Sequence, residues 1–274
     1  WSRGLGDVYK RQDITILVPS SEQDLAFNSY QHEGCEIISV RGWKTKDIGY
    51  IRRTLNEFIN PWLIWRSIEK SKVFKNRQYD GIIWYSPTIF WGPLIKRLKT
   101  KFACKTYLIL RDIFPDWALH LGLLRRGLVY WFFKQVEHYQ YRQADCIGLQ
   151  SPNNLKYFKK YHPDLSKYVQ VLWNWSSPSR LAPDGICPID LNKTPLAGRI
   201  ILVYTGNLGL AQGGHSTLIE IAQQLSPHST IGILVVGRGS EMLKLKEQMA
   251  SENLTNIVAL NEISASQIPP LLAQ

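Results

Sequence analysis

The residues best suited to bind a ligand lie in a glycine-rich turn, GNLGLAQGG, at positions 206–214. The turn follows the apolar run Ile200–Val203 and comes directly before an apolar pattern of helical spacing at 218–225. Glycine lets the backbone adopt a positive φ and approach a ligand closely. The first N–H groups of a helix have no partner within the helix and attract anions. The stretch therefore predicts a phosphate-binding turn between a buried strand and a helix.

This turn alone does not decide the function, because glycine turns also close strand–helix connections that bind nothing. Its spacing fits neither GxGxxG nor the GxxxxGK pattern of a Walker motif, so neither of those sites is predicted. A second glycine turn, Gly237 and Gly239 around Arg238, follows another apolar run. It either closes a tight turn or presents its backbone to a nucleotide.

Polar side chains also follow two apolar runs in the first half of the chain. Arg111 and Asp112 come directly after Thr106–Leu110, Asp116 lies four residues further on, and Ser86 follows an earlier run. Binding sites in parallel sheets form where strands end, so these residues are expected at one edge. Arg111 could hold a phosphate or orient Asp112. The alternative is a local Arg111–Asp112 ion pair, with Asp116 capping a helix.

Several other kinds of site are not predicted. The sequence has no GxSxG elbow for a hydrolase nucleophile, no Asp-x-Asp pair for a divalent cation, and no CxxC spacing for zinc. A diphosphate must then be neutralised by N–H groups, a helix dipole and basic side chains, so we expect neither a metal nor a cofactor. Scattered, unpaired cysteines favour a cytoplasmic protein with reduced thiols. Four histidines share no spacing and are left unassigned: His120, His138, His162 and His215.

The elements that would position these residues alternate between strand and helix. Strand signals lie at Ile14–Val18, Glu36–Val40, Gly81–Tyr85, Thr106–Leu110, Cys146–Leu149 and Val169–Leu172, and then at Ile200–Val203, Ile231–Val236 and Asn256–Leu260. Helical patterns separate most of them, which indicates parallel, helix-covered sheets. The sequence therefore predicts an α/β protein with two tandem Rossmann-like domains.

The composition of the chain suggests four segments. Residues 1–12 read as a non-native tag or scar, 13–175 as the first domain, 176–198 as a linker rich in Pro, Ser and Asp, and 199–274 as the second domain. The second domain stops at a starting helix after three strand signals. We therefore expect a piece truncated at both ends, with both domains incomplete.

The formal net charge of +11 is concentrated in two stretches that also carry aromatic residues, 52–77 and 96–105. Basic helices with aromatic residues on the apolar side bind anionic membrane surfaces. The alternative is an ordinary solvated face opposite a core-facing stripe. No nucleic-acid motif accompanies the charge, so nucleic acid is not an expected partner. No apolar run is long enough to span a bilayer.

Four motifs in order give the chain a resemblance to a known family: RDIFPDWALHLG at 111–122, EHYQYRQADCIGLQS at 137–151, VLWNW at 171–175 and VYTGNLGLAQG from 203. Together they resemble family-four glycosyltransferases of the two-Rossmann (GT-B) type, and among these the colanic-acid and O-antigen transferases. The resemblance covers most of 13–274. It implies transfer of a sugar from a nucleotide-sugar donor, with retention at the anomeric carbon.

The resemblance also implies roles for particular residues. The donor diphosphate would contact Gly206, Asn207, Gly209, Gln212 and Gly213, and the nucleotide side would contact Gly237, Arg238 and Gly239. Asp112 and Arg111 would be catalytic, with Asp112 accepting a proton or stabilising an oxocarbenium-like sugar. Ser86 and Asp116 would line the acceptor cleft. The family's opening β-α unit and its two donor-binding glutamates have no counterpart in this sequence, so we expect the chain as given to be inactive.

A polyprenyl-diphosphate-linked glycan is the acceptor that fits both this resemblance and the basic aromatic stretches. The protein would then work in the cytoplasm, peripherally on the inner face of the plasma membrane. Two alternatives remain open from the residues. One is a nucleotide-sugar epimerase of the same fold, and the other is a non-catalytic basic module that binds membranes or nucleic acid.

Overall fold

A computed structural model describes residues 12–22, 26–46, 48–86, 88–175, 187–209, 213–228 and 230–274. Most of the predicted tag and residues 176–186 of the predicted linker lie outside these ranges. The chain divides into two compact units, Trp1–Asn174 and Trp175–Gln274. Within the described part, every helix is too short or too polar to cross a bilayer.

The described residues of unit 1 form seven strands: β1 (Thr15–Ser20), β2 (Phe27–His32), β3 (Cys35–Arg41), β4 (Gly81–Tyr85), β5 (Lys105–Leu110), β6 (Cys146–Leu149) and β7 (Val169–Val171). They form a three-stranded sheet in the order β1-β3-β2 and a four-stranded sheet in the order β4-β5-β6-β7. The four-stranded sheet is parallel throughout, as predicted.

The expectation of purely parallel strands is wrong for β2, which pairs antiparallel with β3. The two residues that join them, Glu33 and Gly34, have φ angles of 48° and 79°. Positive φ at both central positions is what a tight two-residue hairpin requires. The strand FNSYQH was missed because only Phe27 and Tyr30 are apolar, too few for a strand signal.

The helices of unit 1 are α1 (Tyr50–Ser71), α2 (Gly92–Phe102), α3 (Asp116–His120), α4 (Leu128–Tyr141) and α5 (Pro152–Tyr161), with 3-10 turns at Ile89–Trp91 and Pro163–Tyr168. Side chains of β3, α1 and α2 form one core cluster. Those of β4, β5 and β6 form another with α4 and α5. Ile82 and Trp91 pack against both clusters, so the two sheets share a continuous interior.

In the part of unit 2 that the structure describes, three parallel strands lie in the order β10-β9-β8: β8 (Ile200–Asn207), β9 (Ile231–Arg238) and β10 (Ile257–Asn261). Its helices are α6 (Gly214–Leu225), α7 (Met242–Ser251) and α8 (Ile268–Leu272), with 3-10 turns at Leu191–Lys193 and Ala265–Gln267. Core clusters include Ile233 and Val235 in one, and Leu234 and Val236 in the other. Residues 187–198, predicted as linker, contribute Leu191 and Leu196 to the second cluster.

Candidate functional site

The two glycine turns of unit 2 are neighbours at one edge of the sheet. Strand β8 does not end at Val203 but runs through Asn207, so the first glycine turn begins inside the strand. In the parallel ladder, Gly206 lies opposite Gly237 and Asn207 opposite Arg238. Both turns therefore leave the sheet at its carboxyl edge, where ligands bind in open α/β sheets.

The glycines of the second turn let the two backbones touch. A Cβ atom at Gly237 would lie 1.9 Å from the Gly206 carbonyl oxygen, and one at Gly239 would lie 2.1 Å from that of Leu208. Any larger residue would force the turns apart. Gly206 differs, since its φ is 135° and an added Cβ would meet nothing within 4 Å. Gly206 thus faces open space and is glycine because of its positive φ, whereas a side chain at Gly237 or Gly239 would overlap a neighbouring carbonyl.

Some amides of the first turn are already paired. The Leu208 N–H donates to the Arg238 carbonyl at 2.7 Å, and the Gly214 N–H donates to the Gly209 carbonyl at 3.2 Å. These two amides are therefore not free to bind a phosphate group. Helix α6 begins at Gly214 after Gly213, whose φ is 90°. Gln212, predicted to bind the diphosphate, lies outside the described residues.

A cavity of about 330 Å³ opens beside the paired turns. Its floor is the end of β8 and β9, and its remaining walls come from the segment after β10; the lining includes Thr205, Asn207, Val236, Glu262, Ile263 and Ile268. At its mouth the Arg238 guanidinium meets the Glu262 carboxylate, with Nε–Oε2 at 3.2 Å and Nη1–Oε1 at 3.4 Å. The cavity combines apolar walls, glycine backbone and a charged rim, as small-molecule sites do.

A histidine that the sequence left unassigned lies in the first turn of α6. The His215 Nδ1 atom is 2.8 Å from Oε2 of Glu241, whose other oxygen accepts a 3.1 Å bond from Lys244. Glu241 is nearly fully buried. Hydrogen bonds from His215 and then Lys244 lower the pKa of this carboxyl. The two partners are 26 residues apart, so no local pattern could have revealed the pair.

Arg111 and Asp112 follow β5, as predicted. The Arg111 side chain donates to Oδ1 of Asn174, and Gln150 Nε2 donates to the Arg111 carbonyl at 2.7 Å. The Asp112 side chain is exposed to solvent. The loop that carries both residues is thus anchored by Gln150 after β6, while the Asp112 carboxylate remains accessible.

Ser86 is at the end of β4, beside β5, but its hydroxyl is buried. It donates to the Thr88 carbonyl at 2.9 Å and accepts from Gln140 Nε2 at 2.8 Å. Gln140 also accepts a bond from the Trp91 amide at 3.0 Å. These contacts tie the end of β4 to helix α4, which gives Ser86 a structural role.

Asp116 is also enclosed. Tyr130 Oη donates to Oδ1 at 2.7 Å, and Lys134 Nζ lies 3.0 Å from Oδ2. Burial by itself raises the pKa of Asp116, but the bonds from Tyr130 and Lys134 outweigh it and hold the pKa below its ordinary value. Asp116 is the first residue of α3 rather than its cap, which is Pro115. Its carboxylate joins α3 to α4.

A buried polar cluster beside Asp116 was not anticipated. Glu137 accepts from Tyr141 Oη at 2.8 Å and forms an ion pair with Lys134, and His162 Nε2 lies 3.8 Å from Oε2 of Glu137. Burial raises the pKa of Glu137 to about 7, and burial lowers the pKa of His162 to about 4. Glu137 and Tyr141 lie in the motif at 137–151 that contributes to the family resemblance. Helical spacing alone could not predict whether this polar side of the helix is buried or exposed to solvent.

Comparison with solved structures gives matches over nearly the whole chain. An α,α-trehalose-phosphate synthase (UDP-forming) from Burkholderia vietnamiensis has a TM-score of 0.65 at 12% identity, over 98% of this chain and 71% of its own. A structure described as trehalose-6-phosphate from E. coli bound with UDP-2-fluoro glucose has a TM-score of 0.61 at 12% identity, over 94% and 69%. Anabaena HepE in complex with UDP has a TM-score of 0.51 at 15% identity, over 86% and 58%.

These similarities confirm the predicted fold class, an α/β protein with Rossmann-like domains. No protein-family model and no curated protein sequence matches the chain. Identities of 12–15% establish the fold alone. Among the described residues, no three His, Cys, Asp or Glu side chains come together as a metal site would require.

Proposed function

We propose that this protein is a glycosyltransferase that takes its sugar from a nucleotide-sugar donor. The observation that carries the proposal is the cavity of unit 2, where the paired turns of β8 and β9 meet an apolar slot at the carboxyl edge of a parallel sheet. It is supported by the fold, since the solved structures named above include complexes with UDP and UDP-2-fluoro glucose. Within the fold class, the four sequence motifs favour family four and its colanic-acid and O-antigen members.

The donor is proposed to bind across the two turns. The nucleoside is proposed to occupy the slot beside Gly237, Arg238 and Gly239. The diphosphate is proposed to contact Gly206, Asn207, Gly209, Gln212 and Gly213. The start of α6 supplies N–H groups and the positive end of a helix dipole to the diphosphate. Arg238 lies at the rim, where it is paired with Glu262, and its guanidinium is proposed to contact the donor. In this proposal the diphosphate is neutralised without a metal or a cofactor.

The reaction breaks the bond between the anomeric carbon and the diphosphate and forms a bond from that carbon to an acceptor hydroxyl, with retention of configuration. The acceptor proton must leave the hydroxyl, and the exposed Asp112 carboxylate is proposed to receive it or to stabilise positive charge on the sugar. Arg111 is proposed to orient the reacting groups. Most of the rate enhancement then comes from positioning and from stabilising the departing diphosphate.

The acceptor is proposed to be a polyprenyl-diphosphate-linked glycan used in cell-surface polysaccharide synthesis. Such an acceptor is anchored in a membrane, which suits a protein of net charge +11. The protein is therefore proposed to be cytoplasmic and peripheral on the inner face of the plasma membrane. Nucleic acid is not proposed as a partner.

Thermal unfolding with added nucleotides tests the donor site. A ligand that binds only the folded state raises the melting temperature. UDP or GDP should raise it more than the free nucleoside does, and Arg238→Ala should weaken the effect. Lys193→Ala is the matched control, because Lys193 is also an exposed base of unit 2 paired with an acid, Asp190. Equal shifts in both variants, or none with any nucleoside diphosphate, would contradict the proposal.

A further inference from the structure

Helix α4 turns its polar side inward. Tyr130, Lys134, Glu137 and Tyr141 recur at helical spacing and face the interior, where Lys134 contacts both Asp116 and Glu137. Glu137 and Tyr141 have almost no solvent exposure. A helix at the surface of a water-soluble protein normally buries its apolar stripe and exposes its charges. Helix α4 instead buries polar and charged side chains.

The outer side of α4 exposes apolar side chains rather than charged ones. Leu128 is 91% exposed and Trp131 59% exposed, and Val129 and Phe132 are about half exposed. Burying four such side chains is worth far more than any single hydrogen bond of the inner cluster. Their exposure therefore marks this side of α4 as an interaction surface.

The exposed apolar surface continues into the preceding residues. Trp117, Leu121 and Leu123 are each more than a third exposed. Arg125 and Arg126 follow at the surface. We call residues 117–132 the α3–α4 ridge. From position 117 to position 136 the sequence contains no Asp or Glu, so the ridge carries only positive charge.

We propose that the α3–α4 ridge enters the headgroup layer of an anionic lipid bilayer. The amphipathic segments that lie in this layer place Leu, Phe and Trp among the acyl chains and Arg among the phosphates. The ridge has that composition. A second copy of the chain suits it less, because a two-fold contact would bring two arginine pairs together without acidic partners.

The ridge differs from the surfaces that the sequence suggested. In the stretch 96–105, Lys99 and Lys105 pair with Asp145, and Lys101 pairs with Glu69. Those lysines are engaged within the protein. The ridge is the surface that would make the membrane contact of the proposed function, and in this respect the inference rests on that function. Membrane binding by the ridge does not require the donor site to be occupied.

Flotation with lipid vesicles tests the proposal on the full chain. Wild type should float with phosphatidylglycerol–phosphatidylcholine vesicles and bind pure phosphatidylcholine more weakly. Leu128→Ser/Trp131→Ser should lower partitioning at least ~tenfold. Arg125→Gln/Arg126→Gln should lower it ~tenfold or more, and only on the anionic vesicles. Leu243→Ser/Trp173→Ser is the control, because these side chains are 67% and 65% exposed elsewhere.

Three results would overturn the inference. One is failure of the wild-type protein to float with the vesicles. Another is an equal loss of vesicle binding in the control and ridge variants. The third is a wild-type dimer that the ridge substitutions convert to a monomer without any lipid dependence, which would assign the ridge to a second copy. Melting curves with nucleotide, recorded on the same variants, separate failure of the ridge from failure of the proposed function. Unchanged nucleotide shifts would leave the donor site standing.

Discussion

Individual glycines at the edge of unit 2 have different reasons to be glycine. The sequence predicted turns at 206–214 and 237–239, because clustered glycines after apolar runs have few other uses. It could not predict that Gly237 packs on Gly206, since that contact depends on the register between β8 and β9. Register is a property of the pair of strands rather than of either sequence.

Gly237→Ala should destabilise the protein by about 1–3 kcal/mol, because the new Cβ would overlap the Gly206 carbonyl oxygen and push the turns apart. Denaturant unfolding measures the loss. Gly49→Ala is the control, since a Cβ there meets nothing within 4 Å and the φ of Gly49 is −61°. Equal stability of the two variants would show that the turns do not pack as described.

Asp112→Asn should lower sugar transfer by the full-length protein ~100-fold or more, because the neutral amide can neither take a proton nor stabilise positive charge. Folding and nucleotide affinity should be unchanged, since Asp112 is exposed. Asp80→Asn, at the opposite end of the sheet, is the control. Undiminished transfer would remove Asp112 from the mechanism, and conversion of the donor without any acceptor would favour an epimerase.

The acceptor-side predictions show where residue patterns stop being informative. The positions of Arg111 and Ser86 at strand ends followed from the apolar runs before them. The side chains that surround Ser86 and Asp116 could not be predicted in this way. Gln140, which covers Ser86, lies 54 residues later, and Asp116 is covered by Tyr130 and Lys134. A polar residue after a strand is predicted equally well whether it faces a cleft or a helix. Only tertiary packing decides between them.

Among the elements, parallel strands with continuous apolar runs were the most predictable part of the fold. Strands β4 and β6 have the predicted bounds, Gly81–Tyr85 and Cys146–Leu149. The run of β6 is buried, as is typical of a parallel strand, whereas Ile83 and Tyr85 of β4 are exposed. Helix α4 was harder, since its inward side is polar and its outward side apolar. A periodicity argument assigns such a helix the wrong buried face.

The inward side of α4 makes stability depend on pH. The pKa of Glu137 is raised by burial from 4.5 to about 7, so its contribution is complete below the lower value and is lost as pH rises through the higher one. The free energy of unfolding of wild type, minus that of Glu137→Gln, should therefore fall between about pH 4.5 and 7. Denaturant titrations across this range measure the difference. A difference that stays constant would contradict the buried, coupled position of Glu137.

In the molecule as a whole, the chain forms two compact units, and each contains a parallel sheet. Alternating strand and helix signals were enough to predict this plan, because few architectures accommodate them. The cavity could not be predicted, since its walls come from the ends of β8 and β9 and from the segment after β10. The α3–α4 ridge of unit 1 could not be predicted either, because the hydrophobicity of a residue does not show whether its side chain is buried or exposed.

Calorimetric titration of the chain with UDP and with GDP, with and without EDTA, tests whether the glycine turns of unit 2 bind a nucleoside diphosphate without a metal. We expect saturable one-site binding of at least one of the two nucleotides, with an affinity that EDTA does not change. Binding of neither nucleotide to the folded chain, or binding only after a divalent cation is restored, would contradict it.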